Sequence, residues 1–220
     1  FGIYNELNYY EDENGGLLRK NGSILFNYEG IMRSHSHFQA NVLQEVYNGK
    51  IFDLINFSSC FGFYPSSNIW FHSHLFFGDR IDYANIRIGK RFRMDPEIGL
   101  NLGRHLRLDL GHAFERMLVN STRLYTANIS QMAVVYHFSV RTLFRGIFQY
   151  VNYDYNVANY TIEQDPEYKQ FFTQLLFSYK INPFTVFFLG YTDNYFGNQD
   201  YDLTQNDRTL FVKLSYAWVM

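Results

Sequence analysis

The clearest signal in this chain is alternation of period two. From His105 to Met117, Leu106, Leu108, Leu110 and Phe114 fall on one side and Arg107, Asp109, Gly111, Ala113 and Glu115 on the other. Arg208 to Met220 repeats the pattern: Leu210, Val212, Leu214, Tyr216, Trp218 and Met220 share one face, and Thr209, Lys213, Ser215 and Ala217 the other. A surface helix needs apolar residues three and four apart, which these segments lack, so both predict strands.

Extended to the whole chain, the template predicts about twelve strands, at residues 1–10, 22–31, 37–46, 52–64, 69–77, 83–93, 105–117, 124–137, 142–154, 169–180, 184–195 and 207–220. Each is roughly the nine to eleven residues that a tilted strand needs to cross a bilayer. Short turns are expected near Arg33-Ser34-His35, Pro65 to Asn68, Phe138 to Arg141 and Ile181-Asn182-Pro183. Longer polar loops are expected at Glu11 to Asn21, Met117 to Arg123, Asn156 to Tyr168 and Phe196 to Asn206. Between Arg93 and Arg104 two readings stand: a continuous sixth strand turning at Leu102-Gly103-Arg104, or a turn at Asp95-Pro96.

Backbone polar groups in lipid must all be paired, so a spanning sheet has to close and turn an apolar face outward. The outward candidates are large, including Phe57, Phe61, Phe63, Phe144, Phe148, Tyr150, Phe171, Leu175, Phe177 and Tyr179. Tyr28, Tyr64, Trp70, Tyr191 and Trp218 lie near strand ends, where an interfacial aromatic girdle belongs. The fold class expected is all-β: an antiparallel up-and-down transmembrane β-barrel with short periplasmic turns and longer external loops. A soluble all-β barrel, with the aromatics inside, is the alternative; so many Phe and Tyr exceed what one barrel interior holds.

Composition sharpens this. One residue in five is aromatic, which excludes disorder, and no apolar run is long enough for a transmembrane helix. A net charge of −2 lacks the basic excess that binds nucleic acid. Cys60 is the single cysteine. The chain opens in a strand-like segment without a signal peptide, so residues 1–220 are read as one barrel domain forming the C-terminal part of a longer protein.

Particular strings then carry a resemblance. They are Arg123-Leu-Tyr-Thr-Ala-Asn-Ile-Ser-Gln-Met, Val140-Arg-Thr-Leu-Phe-Arg, Phe172-Thr-Gln-Leu-Leu-Phe-Ser-Tyr-Lys-Ile-Asn-Pro, Phe188-Leu-Gly-Tyr-Thr-Asp-Asn-Tyr and Leu203 to Trp218. Over Leu106 to Met220 the chain resembles the C-terminal outer-membrane β-barrel domain of unknown function found in bacterial proteins with an upstream domain like family 9 carbohydrate-binding modules. The resemblance implies a bacterial outer-membrane location, common in Bacteroidetes, and supplies no catalytic residue.

Candidate chemistry is sparse. Arg87, Arg91, Arg107, Asp109, Glu115 and Arg145 are expected to form a polar network in the lumen, each acid close in sequence to an arginine. His35/His37 and His72/His74 each place two rings on one strand face; His72 and His74 are the candidate metal ligands, although zinc needs at least three protein ligands and no Cys or acid has a spacing that completes either pair. No cofactor is therefore expected. Tyr153, Tyr155 and Tyr195 are candidate contacts for a ligand such as a sugar. His112 interrupts an apolar outward row; a regular hairpin closed by 117–124 would set it opposite about Ile129, turning Ser130 to the other side.

These features point to an outer-membrane barrel that anchors an upstream module and binds or passes a saccharide or other solute. Its expected partners are outer-membrane lipid and carbohydrate, and not nucleic acid. The alternative is a membrane-embedded hydrolase or acyltransferase, and no Gly-x-Ser-x-Gly elbow speaks for it.

Overall fold

A computed structural model describes residues 2–11, 13 and 17–217. Twelve strands make one sheet in which each pairs antiparallel with the next in sequence. They are β1 (Gly2–Glu11), β2 (Leu17–Glu29), β3 (His35–Tyr47), β4 (Lys50–Ser66), β5 (Ile69–Asp82), β6 (Arg87–Leu102), β7 (Leu106–Val119), β8 (Thr122–His137), β9 (Thr142–Tyr155), β10 (Glu167–Asn182), β11 (Thr185–Asn198) and β12 (Thr204–Tyr216). This is the up-and-down order of a β-barrel, as the alternation predicts. Trp218 and Met220, assigned to the last strand, lie outside the described residues.

The connection after β7 differs from expectation. Residues 117–123 are not a long loop: β7 runs to Val119, β8 starts at Thr122, and Asn120 and Ser121 make a two-residue turn with φ of 49° and 63°. That left-handed pair is the turn chemistry that matches strand twist. β6 takes the continuous option and runs through Pro96. Pro96 has no N–H to donate, and the ladder to β7 skips Asp95 and Pro96 between Met94 and Glu97. The 156–166 segment is the longest connection among the described residues, and it lies on the same side as the turns at 48–49, 83–86 and 120–121. That side is called the loop side below, and the other the turn side.

Register sorts the side chains. Across β3 to β11 one row reads His35, Gly62, His72, Glu97, Gly111, Gln131, Gln149, Phe172 and Asn194. Another reads Gln39, Ser58, Phe76, Arg93, Glu115, Ala127, Tyr153 and Tyr168. These polar rows form the inward face. The opposite face carries Phe26, Phe38, Phe57 and Phe77 as a cross-strand ladder, with centroids 6.5, 6.2 and 5.5 Å apart in succession. Each such pair adds roughly 0.5–1.5 kcal/mol to burial. Of the aromatics predicted for girdles, Tyr28 and Tyr191 follow this parity, whereas Tyr64 and Trp70 share the inward face with Cys60 and His72.

At Gly78 (φ +134°) a Cβ would meet the Asn56 Cα and the Ile55 carbonyl oxygen at 2.6 Å. Only glycine allows that approach, and here the β4–β5 ladder ends. Beyond it, Asp79 accepts the Ile55 N–H at 2.9 Å and Ile81 packs with Leu43, Phe52 and Leu54.

Candidate functional site

The inward face of β6 and β7 carries a charged belt. Glu115 is the hub: it pairs with Arg93 at 3.3 Å and Arg91 at 3.7 Å, and accepts the Tyr125 hydroxyl at 2.5 Å. Arg93 also reaches Asp95 at 3.2 Å, and Arg91 lies 4.0 Å from the Phe76 ring centroid. Toward the loop side Arg87 holds Asp82 at 2.9 Å, and toward the turn side Arg107 holds Asp109 at 2.9 Å. Five of the six residues assigned to a lumenal network thus sit in ion pairs, in three separate groups. Arg145 shares the face and is exposed, with no ion pair among the described residues.

Above the belt, on the loop side, tyrosines gather. Tyr153 and Tyr155 stack with centroids 5.7 Å apart and planes at 10°. Tyr125 packs on both, Tyr168 meets Tyr153 edge-on at 6.2 Å, and Phe196 meets Tyr168 at 5.2 Å. Among the described residues the Tyr153 and Tyr155 hydroxyls have no hydrogen-bond partner, although both rings are half-buried. Tyr195 does not join them. It lies on the outward face, where its hydroxyl and that of Tyr191 donate to Asp193 at 3.1 and 2.6 Å, and Gln205 donates at 2.6 Å.

The 156–166 loop bends over this mouth. Asn159 donates to the Arg123 carbonyl at 2.9 Å and its own carbonyl accepts from Arg87. The Thr161 N–H and hydroxyl both reach Asn85 Oδ1 at 2.9 Å, so the loop touches the β5–β6 turn. Tyr160 inserts beside Met117, Val119, Leu124 and Tyr125 and meets Tyr155 edge-on at 5.8 Å. Burial, with Tyr155 and Asp82 nearby, pushes the Tyr160 phenol above its usual range, so it stays neutral. The sequence marks this segment as a loop, but nothing in it shows that the loop folds inward.

Two more groups appear that sequence spacing conceals. On β3, β4 and β5, His35, Cys60 and His72 come together on the inward face: their donor atoms lie within 4.8 Å of one another, and Cys60 Sγ is 3.0 Å from His72 Nε2. His35 is the first residue of β3 and not part of the preceding turn. His74 packs edge-on against His72 at 4.5 Å. On the outward face the expected register is off by one, because a bulge at Met117/Leu118 shifts β8 by one residue from the register that the two-residue turn sets. His112 faces Ser130, and its Nδ1 lies 2.8 Å from Ser130 Oγ. The pair borders an outward groove of about 480 Å³ lined by Phe71, Ile98, Leu110, Met132 and Phe148.

Comparison with solved structures defines the class. Over 99% of this chain and 71% of the other, the structure is similar to the outer membrane channel DcaP of Acinetobacter baumannii, with a TM-score of 0.62 at 9% identity. A NanC porin aligns over 91% of this chain and 94% of its own with a TM-score of 0.38 at 10% identity. No family model and no curated sequence matches the chain. The fold is that of an outer-membrane β-barrel.

Proposed function

We propose that the chain resides in a bacterial outer membrane and passes or binds a polar solute, with a saccharide the class its mouth fits best. The tyrosine group carries this reading. Tyr153 and Tyr155 offer stacked rings and unpartnered hydroxyls on the inward face, just above a belt of arginines and carboxylates. A sugar ring has apolar C–H faces for aromatic stacking and a rim of hydroxyls for guanidinium and carboxylate groups. Gln131, Gln149, Gln170 and Asn194 extend the wall with neutral amides; Gln170 donates to Asn194 at 2.8 Å. The resemblance read from the C-terminal sequence leads to the same class. The fold of DcaP, a channel, supports passage as the mode. A non-catalytic anchor for an upstream module is compatible with the same barrel. Oligosaccharide added to one side of a planar bilayer containing the protein is expected to interrupt ion current reversibly. Current insensitive to neutral, anionic and cationic sugars would remove the saccharide from the proposal.

The His112–Ser130 contact favours a second reading, acyl-ester hydrolysis at the outward wall. A serine hydroxyl 2.8 Å from an imidazole, beside an apolar groove, is within reach of general-base activation. Against it, no described carboxylate or amide hydrogen-bonds the second His112 nitrogen to orient the ring. Ester turnover in mixed micelles that is lost together in Ser130→Ala and His112→Ala would establish it; turnover that survives both would end it.

A further inference from the structure

We propose that His35, Cys60 and His72 form a site for a borderline-soft transition-metal cation, with Zn2+ as its representative, on the inward wall toward the turn side. Three neighbouring strands supply the ligands. Cys60 on β4 stands between the two His-x-His pairs, because His37 pairs with Cys60 and Cys60 with His74, while His35 and His72 both flank Gly62 in the adjacent row. The strand period puts all five side chains on one face.

Gly62 makes the convergence possible. A Cβ there would overlap the His35 ring, so the imidazole lies across β4 only because that position has no side chain. Tyr64 stacks on His35 at 5.9 Å and helps hold it there. The His35 and His72 centroids are 6.1 Å apart. Zinc bonds of about 2.0–2.1 Å to nitrogen and 2.3 Å to sulfur set tetrahedral donor atoms roughly 3.3–3.8 Å apart. Donors already within 4.8 Å reach that spacing by small side-chain rotations.

A second observation points the same way. Asp95 lies across β5 from this group, paired in register with His74, and its Oδ1 is buried with no hydrogen-bond partner while Arg93 engages Oδ2. Buried carboxylate oxygens are seldom left unpaired, so an unsatisfied one in register with His74 is a fitting partner for the second nitrogen of an imidazole in this cluster. Of the three ligands, Cys60 opens onto a cavity of about 480 Å³ that His37, His74 and Asp95 also line. One thiol and imidazole nitrogens are the donor set of a borderline-soft cation rather than of Mg2+ or Ca2+.

Cobalt(II) titration of the detergent-solubilised protein tests the site. Expected is a thiolate-to-cobalt absorption band in the near ultraviolet, displaced by Zn2+ and lost in Cys60→Ser. Zn2+ affinity is expected to fall at least tenfold in His35→Ala and in His72→Ala, and to be unchanged in His137→Ala, on β8. A wild-type protein without the thiolate band, or Zn2+ binding equally tight in Cys60→Ser and His72→Ala, overturns the proposal. Heat-modifiable gel migration shows that each variant is folded, and the wild-type spectrum needs no variant. The readout does not depend on conductance, so its failure leaves solute passage standing.

Discussion

The charged belt on β6 and β7 and the tyrosine mouth above it are adjacent on the same inward face, yet they are satisfied in different ways. In the belt, arginines and carboxylates largely answer one another: Glu115 alone takes Arg91, Arg93 and the Tyr125 hydroxyl, and Arg91 Nε and Asp95 Oδ1 are the buried atoms left over. In the mouth, Tyr153 and Tyr155 touch each other through their faces, and among the described residues their hydroxyls have no partner. A group already satisfied within the wall has little to gain from a solute, whereas an unsatisfied hydroxyl has a hydrogen bond to offer. The belt is therefore chiefly scaffold and source of field, and the mouth is where contact is made.

The largest expected effect comes from breaking the belt at its hub. Glu115→Ala leaves the half-buried Arg91 guanidinium without its carboxylate, takes one of two from Arg93 and removes the Tyr125 acceptor, and is expected to cost on the order of 3 kcal/mol. Lower thermal stability by circular dichroism, with ion selectivity moved toward anions, is the outcome to look for. Glu115→Gln keeps an acceptor for Tyr125 and is expected to lose less.

Removing the rings tests the other half of the comparison. Tyr153→Ala and Tyr155→Ala are each expected to weaken oligosaccharide retention by about 0.5–1.5 kcal/mol, read as shorter current interruptions, with stability changed less than in Glu115→Ala. If the Glu115 variant shortens the interruptions more than the tyrosine variants do, the roles assigned to belt and mouth are reversed.

The seat of the 156–166 loop gives a pH dependence. Because the Tyr160 phenol titrates higher when seated than when free, its contribution is fully present below the free value and declines as pH rises past it. Conductance is expected to be steady from neutral pH to about 10, the unperturbed phenol value, and to rise above that as the loop releases. Tyr160→Phe should remove the rise.

The smallest effect is expected at Arg145, which has no ion pair to lose. Arg145→Ala should change stability by less than about 0.5 kcal/mol, with a modest loss of anion preference in the bilayer.

Strand number, strand order and the facing of most residues were legible from alternation alone, because a half-buried strand can satisfy only one parity. Leu106, Leu108 and Leu110 outward against Arg107 and Asp109 inward is such a case. Register beyond a turn was less legible: His112 meets Ser130, not Ile129, because the bulge at Met117/Leu118 adds an offset that hydrophobicity does not encode. The His35, Cys60 and His72 group was hidden for a different reason. Each residue comes from a different strand, and Gly62, which makes room for the His35 ring, is an ordinary glycine in the sequence. Asp193 was missed although both hydroxyls that hold it, from Tyr191 and Tyr195, stand two residues away on its own strand β11; the Gln205 amide comes from β12.

Single-channel recording of the purified protein in planar bilayers tests solute passage most directly. Discrete, ohmic conductance steps that a neutral oligosaccharide interrupts are the expected result, with interruptions shortened in Tyr153→Ala. A folded, heat-modifiable protein that inserts and gives no conductance at any voltage, salt or pH would contradict passage and leave the barrel as a plugged anchor.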